Sequence, residues 1–139
     1  MMAKYIAGAK PPFTDTITVY NHYKQGNEDR WQRNVLNACQ WTERQKETVS
    51  TDGKIVCSQE VTVSILGRTG YEKKHTGGTN FSFGLDNLDL VINGECSLEI
   101  DEETSITTLR KNHSAKTIVG LTDNTGIGRR LKYWRISAI

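Results

Sequence analysis

Apolar and polar residues alternate at every second position along much of this chain, the pattern of strands half-buried in a sheet. Ile17 and Val19 alternate with Thr16, Thr18 and Tyr20, which predicts a strand over 14–23. Gly26-Asn27 then marks a turn. Residues 30–41 resume the alternation, with Trp31, Arg33 and Val35 on one face and Leu36 and Ala38 on the other. Their length would also suit a helix, but the Trp, Val and Cys content favours a strand. Residues 42–51 are polar and read as a loop, followed by Asp52-Gly53, a hairpin signal. Residues 54–66 form the clearest long strand: Val61, Val63 and Ile65 share one face, and Glu60, Thr62 and Ser64 the other.

The alternation breaks over 67–84. This stretch holds five glycines and the cations Arg68, Lys73 and Lys74 with His75, and Tyr71, Phe81 and Phe83 are its only apolar anchors. It reads as a long excursion that packs little core and is mobile in the free subunit; such loops are uncommon and often functional. Leu88, Leu90 and Ile92 then alternate with Asp89 and Val91, and Asn93-Gly94 signals a tight hairpin with 95–100 returning as a strand. Residues 102–112 suit a short helix with Ile106 and Leu109 on one side. A strand over 115–121, a turn at Asp123-Asn124-Thr125-Gly126 and a last strand over 131–139 complete the chain, with Leu131 and Tyr133 opposite Trp134 and Ile136. The expected fold is mostly β: a small β-barrel or sandwich of about seven strands, one short helix and a long Gly-rich loop. Residues 1–13, ending at Pro11-Pro12, are expected to be a flexible arm, and 14–139 a single domain.

Composition narrows the function classes. A chain of 139 residues buries roughly 68% of its unfolded surface, enough for one core without staples. Charged residues make up 24%, as in a globular protein. Cys39, Cys57 and Cys96 are odd in number and lie far apart, so free thiols in a reducing cytoplasm are expected. The apolar stretch at 5–9 is too short for a signal peptide, and no run approaches the ~20 apolar residues of a membrane helix. Net charge is only +2 but unevenly placed. Asp86, Asp89, Glu95, Glu99, Asp101, Glu102 and Glu103 form an acidic segment without cations. Arg110, Lys111, Lys116, Arg129, Arg130, Lys132 and Arg135 form a basic one with a single acid, Asp123. Two complementary patches suit head-to-tail packing of a subunit in a ring.

Candidate chemistry changes the picture little. None of the metalloprotease, hydrolase, P-loop or dinucleotide-binding motifs occurs. His22, His75 and His113 have no ligand spacing to one another or to a cysteine, and Asp101-Glu102-Glu103 reads as charge bias at a helix start. The sequence therefore predicts no catalytic residue, no metal and no cofactor. Trp31, Trp41, Trp134 and five tyrosines among basic residues could stack bases. The pI near 8.4 falls short of a dedicated nucleic-acid binder, leaving weak phosphate contact from Arg68, Lys73, Lys74 and His75.

Thr14-Asp15-Thr16-Ile17-Thr18-Val19-Tyr20-Asn21, followed by Trp31, Val35-Leu36 and Trp41, resembles a family of phage and prophage structural proteins. These are the minor capsid or head–tail joining proteins of phages of Gram-positive hosts. The block Leu88-Asp89-Leu90-Val91-Ile92-Asn93-Gly94-Glu95 and the run Thr117-Ile118-Val119 leading to Asp123-Asn124 extend the resemblance over about 14–137. The resemblance implies a head-closure, stopper-type β-barrel: a homo-oligomeric ring of roughly six or twelve copies in the virion neck, assembled in the host cytoplasm. Its implied neighbours are the adaptor or portal side, the tail side, and packaged DNA held by non-specific contact. The nearest alternative is a tail-terminator ring or another tail-proximal protein, which would carry more helix; a small β-barrel nucleic-acid-binding module is the other.

Overall fold

The computed structural model describes residues 12–74, 77–78, 80–84, 88–101, 106–126, 128 and 130–139. Six strands and one helix lie among them: β1 (Asp15–Gln25), β2 (Glu28–Val49), β3 (Ile55–Leu66), β4 (Leu90–Asn93), α1 (Ile106–His113), β5 (Lys116–Asn124) and β6 (Tyr133–Ala138). All strand pairs are antiparallel, in the order β1-β2-β3-β6-β5-β4, and β4 pairs back with β1 to close a barrel. The mostly β fold and the single short helix are as the alternation predicts, with the barrel rather than the sandwich adopted.

Alternation decides what lies inside. Ile17 and Val19 of β1, Leu36 of β2, Val61, Val63 and Ile65 of β3, Val91, Ile118, Trp134 and Ile136 all point inward and are buried. The 67–84 segment does not lie outside this core, contrary to the expectation that it packs little of it. Phe81 and Phe83 are buried in the barrel, and Tyr71 packs beside them against Trp134, at 4.7 Å between ring centroids. Burial of Phe81 and Phe83 at ~1.5–3 kcal/mol each offsets part of the chain entropy lost when this Gly-rich segment is ordered. A buried polar clamp fixes the exit of the segment. Asp89 accepts hydrogen bonds from Asn21 Nδ2 (2.9 Å), the His22 amide (2.9 Å) and the Gly84 amide (2.8 Å). A Cβ on Gly84 would sit 3.0 Å from the Asp89 carboxylate, so a side chain there would press on the clamp.

A second core lies on the outer side of β1 and β4. Tyr20, Leu90 and Ile92 face outward and are covered by Cys96, Leu109 of α1 and Ala115. The residues 95–100, expected to return as a strand, form no ladder. They cross this outer face instead, tied by Tyr20 Oη to Leu98 O (2.7 Å) and by the Cys96 amide to Thr18 Oγ1 (2.8 Å). Phe13, expected within a flexible arm, is buried and tilts against Tyr133 at 6.4 Å. Pro12 is exposed, and residues 1–11 of the expected arm lie outside the described residues.

The strand β2, 22 residues long, is the largest departure. Residues 42–49, expected as a loop, continue it in register with β3, Thr42 opposite Thr62 and Val49 opposite Ile55. Alternation could not reveal them because neither face is buried. Between its two halves lies a bulge: Asp15 pairs with Cys39 but Ile17 with Leu36, and Ala38 has φ 56°. Arg68 closes this corner. Its guanidinium donates to the carbonyls of Asn37, Ala38 (3.4 Å) and Leu66 (3.1 Å). Arg68 was expected on a solvent loop; it is half-buried and structural. Arg68→Ala should destabilise the fold by about 2–4 kcal/mol, since it strands carbonyls at a barrel corner. Ala38→Gly, which suits the left-handed backbone, should stay within about 1 kcal/mol of neutral. Urea unfolding midpoints test both, and an unchanged midpoint for Arg68→Ala would refute the corner's role.

Candidate assembly interface

The outer half of the β2–β3 pair leaves the barrel. β1 pairs with β2 only up to Cys39, and β6 pairs with β3 only from Val61. Beyond both points, from Arg44 and Glu60 outward, β2 and β3 have only each other, and five steps from Arg44 to Val49 make a ribbon roughly 17 Å long at ~3.4 Å per residue. The described side chains of 42–49 and 55–59 are exposed. Its tip closes through the Ser50 amide to Lys54 O (2.9 Å) and the Gly53 amide to Ser50 O (3.0 Å), with Gly53 at φ 83°. The Ser50 hydroxyl, and next the Lys54 amide, hold the Asp52 carboxyl below its usual range. Asp52-Gly53 is thus the hairpin turn the sequence signals.

The two faces of the ribbon differ. Residues facing each other across strands share a face, and the face alternates along each strand. One face continues the barrel's inner wall past Trp41 and Val63, through Glu43, then Gln45 and Gln59, then Glu47 and Cys57, to Val49 and Ile55. It ends in two exposed apolar side chains, 68% and 65% accessible. The other face carries Arg44 with Glu60, and Thr48 with Val56. The signal that could have found the ribbon was local: β-branched Thr48-Val49 and Ile55-Val56 flank the Asp-Gly turn.

The barrel end opposite the ribbon holds the β5–β6 connection. Tyr133 pairs with Leu66, and the Gly67 amide donates to Lys132 O (2.8 Å). There Arg130, Leu131 and Lys132 are all exposed, Leu131 at 49%. Arg135 is exposed too, its guanidinium 6.0 Å from the Tyr133 ring centre.

The charge segments of the sequence map onto space only in part. Asp89 belongs to no patch: it is buried in the clamp, the one place where its charge meets three donors. Glu99 pairs with Arg33 of its own chain at 3.1 Å. Glu95 and Asp101 are exposed, whereas Asp86, Glu102 and Glu103 lie outside the described residues. Arg110 donates to Thr117, and Lys111 is exposed beside it on α1 while Lys116 is half-buried. Arg129 and His75 lie outside the described residues; Lys73 and Lys74 are exposed.

A shallow cleft of about 380 Å³ lies between Glu28, Asp29, Arg30, Trp31, Ile100 and Asp101. Of its side chains, Glu28, Asp29, Arg30 and Trp31 are engaged. Arg30 pairs with Glu28 at 2.5 Å, Asp29 with His22 at 2.8 Å, and the Trp31 indole donates to Leu88 O at 2.9 Å. Among the described residues no three His, Cys, Asp or Glu side chains gather as a metal site, and no helix is long and apolar enough to cross a membrane.

A family model described as a family of unknown function, DUF6751, matches residues 13–139. No curated protein and no solved structure matches the chain.

The three thiols should behave differently. Cys57 is exposed on the ribbon, whereas Cys39 and Cys96 are buried. Burial above all pushes the Cys39 thiol up to about 12, so it has no thiolate at neutral pH. A disulfide reagent near pH 8 should titrate one thiol per native chain rapidly and all three in denaturant. The unfolded chain releases the Cys39 proton near 9.0 and the folded chain near 12, so folding stability is full below 9 and falls as pH rises between them. Burial also raises the Tyr20 phenol, which acts in the same direction. Melting temperatures that climb between pH 9 and 11 would contradict both assignments.

Proposed function

The chain belongs to that family of unknown function, and from its architecture we propose that it is a non-enzymatic assembly subunit: a stopper-type ring protein of the neck of a tailed bacteriophage. The observation that carries this reading is a closed barrel with a ribbon exposed on both faces, reaching roughly 17 Å beyond it. An isolated two-stranded ribbon is marginal in water, and its tip exposes Val49, Ile55 and Val56. Such an element gains its stability from a neighbour, as in proteins whose function is assembly. The resemblance of 14–137 to head–tail joining proteins gives that assembly its setting: the virion neck, formed in the host cytoplasm. On this reading the ring seats on the adaptor or portal side and offers its other side to the tail.

Two further features support the reading. In the cleft at Trp31, Arg30 is held by Glu28 and Asp29 by His22, so these charges serve the local structure. The tail-terminator alternative calls for longer helices, and among the described residues α1 is the one helix, with eight residues. Contact with packaged DNA falls to exposed Lys73 and Lys74, since Arg68 is engaged at the corner. Two lysines give weak binding alone, multiplied by ring symmetry.

Deleting the gene from a phage that encodes it should give heads that lose their DNA and tails that remain unattached, both visible by negative-stain microscopy. Supplying the chain in trans should restore joined particles. Joined, infectious particles in its absence would remove the neck assignment.

A further inference from the structure

We propose that the ribbon of one copy docks on the opposite barrel end of a second copy, its Glu43–Glu47 face against the rim formed by Arg130, Leu131 and Lys132. This deepens the assembly reading above, on which it rests, by naming the two surfaces that meet. The ribbon's inner face carries two carboxylates and no described cation, and it ends in Val49 and Ile55. The rim is its complement: two cations flanking an exposed leucine. Charge and apolar area match on both sides, which favours the correct register and penalises like-charged alternatives such as ribbon face on ribbon face.

Topology makes the contact intermolecular. The strand β3 runs from the ribbon tip at Ile55 to Leu66, which pairs beside the rim. Its eleven steps hold the two surfaces roughly 37 Å apart at ~3.4 Å per residue. No rotamer change lets a copy reach its own rim. Two different surfaces at opposite ends of one subunit make a heterologous contact, which closes into a ring when the rotation per copy permits. A ribbon face from Glu43 to Val49, roughly 20 Å by ~10 Å, covers only about 200 Å², well under the ~800 Å² per partner of a stable complex. Each contact is therefore weak alone, and becomes stable only when several close on one another or on a platform.

The native thiol Cys57 lies on the docking face, which permits a direct test. Wild-type chain is mixed with a larger, tagged Leu131→Cys, Cys57→Ser chain and treated with a short bis-maleimide. The expected product is the mixed dimer. Glu43→Lys with Glu47→Lys in the wild-type partner should cut its yield at least tenfold. Adding Arg130→Glu with Lys132→Glu to the tagged partner should restore it. A mixed dimer that is absent, or indifferent to the reversals, overturns the proposal. So does a predominance of Cys57–Cys57 dimers of the wild-type chain, which would mean face-to-face ribbons. Cross-linking reads the copy-to-copy contact alone, and the gene deletion reads the neck assignment, so either can fail without the other.

Discussion

The structure depends on one mismatch of length: β2 is 22 residues, and β1, its partner on one side, is 11. A small barrel cannot absorb the excess. β2 must change partners at Cys39, which pairs with Asp15 on one side and Ile65 on the other, and must leave the barrel beyond it. The change of direction falls on the Asn37–Ala38 bulge, whose freed carbonyls need donors in a place that water reaches poorly. Arg68 supplies them from the first turn after β3. A lysine would bring its charge to one point, whereas the guanidinium fork spans three carbonyls at once. The corner, the barrel closure and the projecting ribbon are thus consequences of a single strand.

Closure creates a second problem, which two segments solve in opposite places. A sheet rolled on itself buries its inner face but leaves β1 and β4 apolar outside as well, because Tyr20, Leu90 and Ile92 alternate with inward residues. The 95–101 segment and α1 cover that outer side, and the aromatic segment around Phe81 fills the inner one. Asp89 joins the two. It sits just before β4 and holds the backbone of Gly84 on one side and of His22 on the other, so the plug and the wall share one buried carboxylate. Replacing Asn21, the one side-chain donor of the three, would leave a buried charge with fewer donors than it holds now, which costs more than a neutral hydrogen bond contributes.

What was legible in the sequence follows from what alternation can report. β1, β3 and β6 each present an apolar face to the barrel interior, read from Ile17/Val19, Val61/Val63 and Trp134/Ile136. The ribbon half of β2 buries neither face, so Glu43 to Thr48 offered no period to find. Residues 95–100 show the converse error. Cys96, Leu98 and Ile100 do alternate with exposed Glu95, Ser97 and Glu99, but a closed barrel has no edge to receive another strand. The extended chain lies across the sheet's outer face instead, where period two serves packing without a ladder. Linear charge blocks misled similarly: Asp89, Glu99 and Arg68 carry charges that are consumed within the fold, and nothing in a one-dimensional count separates those from Lys132 or Glu47.

If copies of the chain dock as proposed, the polarity of the subunit orders their assembly. A strand that is tip at one end and barrel wall at the other fixes the direction of every docking surface it carries, because a paired β3 cannot bend freely between Val61 and Leu66. Subunits with such opposed surfaces would also form open chains if each contact were strong. Small contact area guards against that outcome. With each pair held weakly, a linear chain of copies dissociates from its ends, whereas a closed ring must break two contacts to lose one member. A platform that holds several copies at the right spacing raises their effective concentration and tips the balance to closure. On the proposed reading, an exposed ribbon with charged flanks and only a small apolar tip would combine solubility in the free subunit with cohesion in the ring. A longer apolar ribbon would trade that balance for edge-to-edge aggregation.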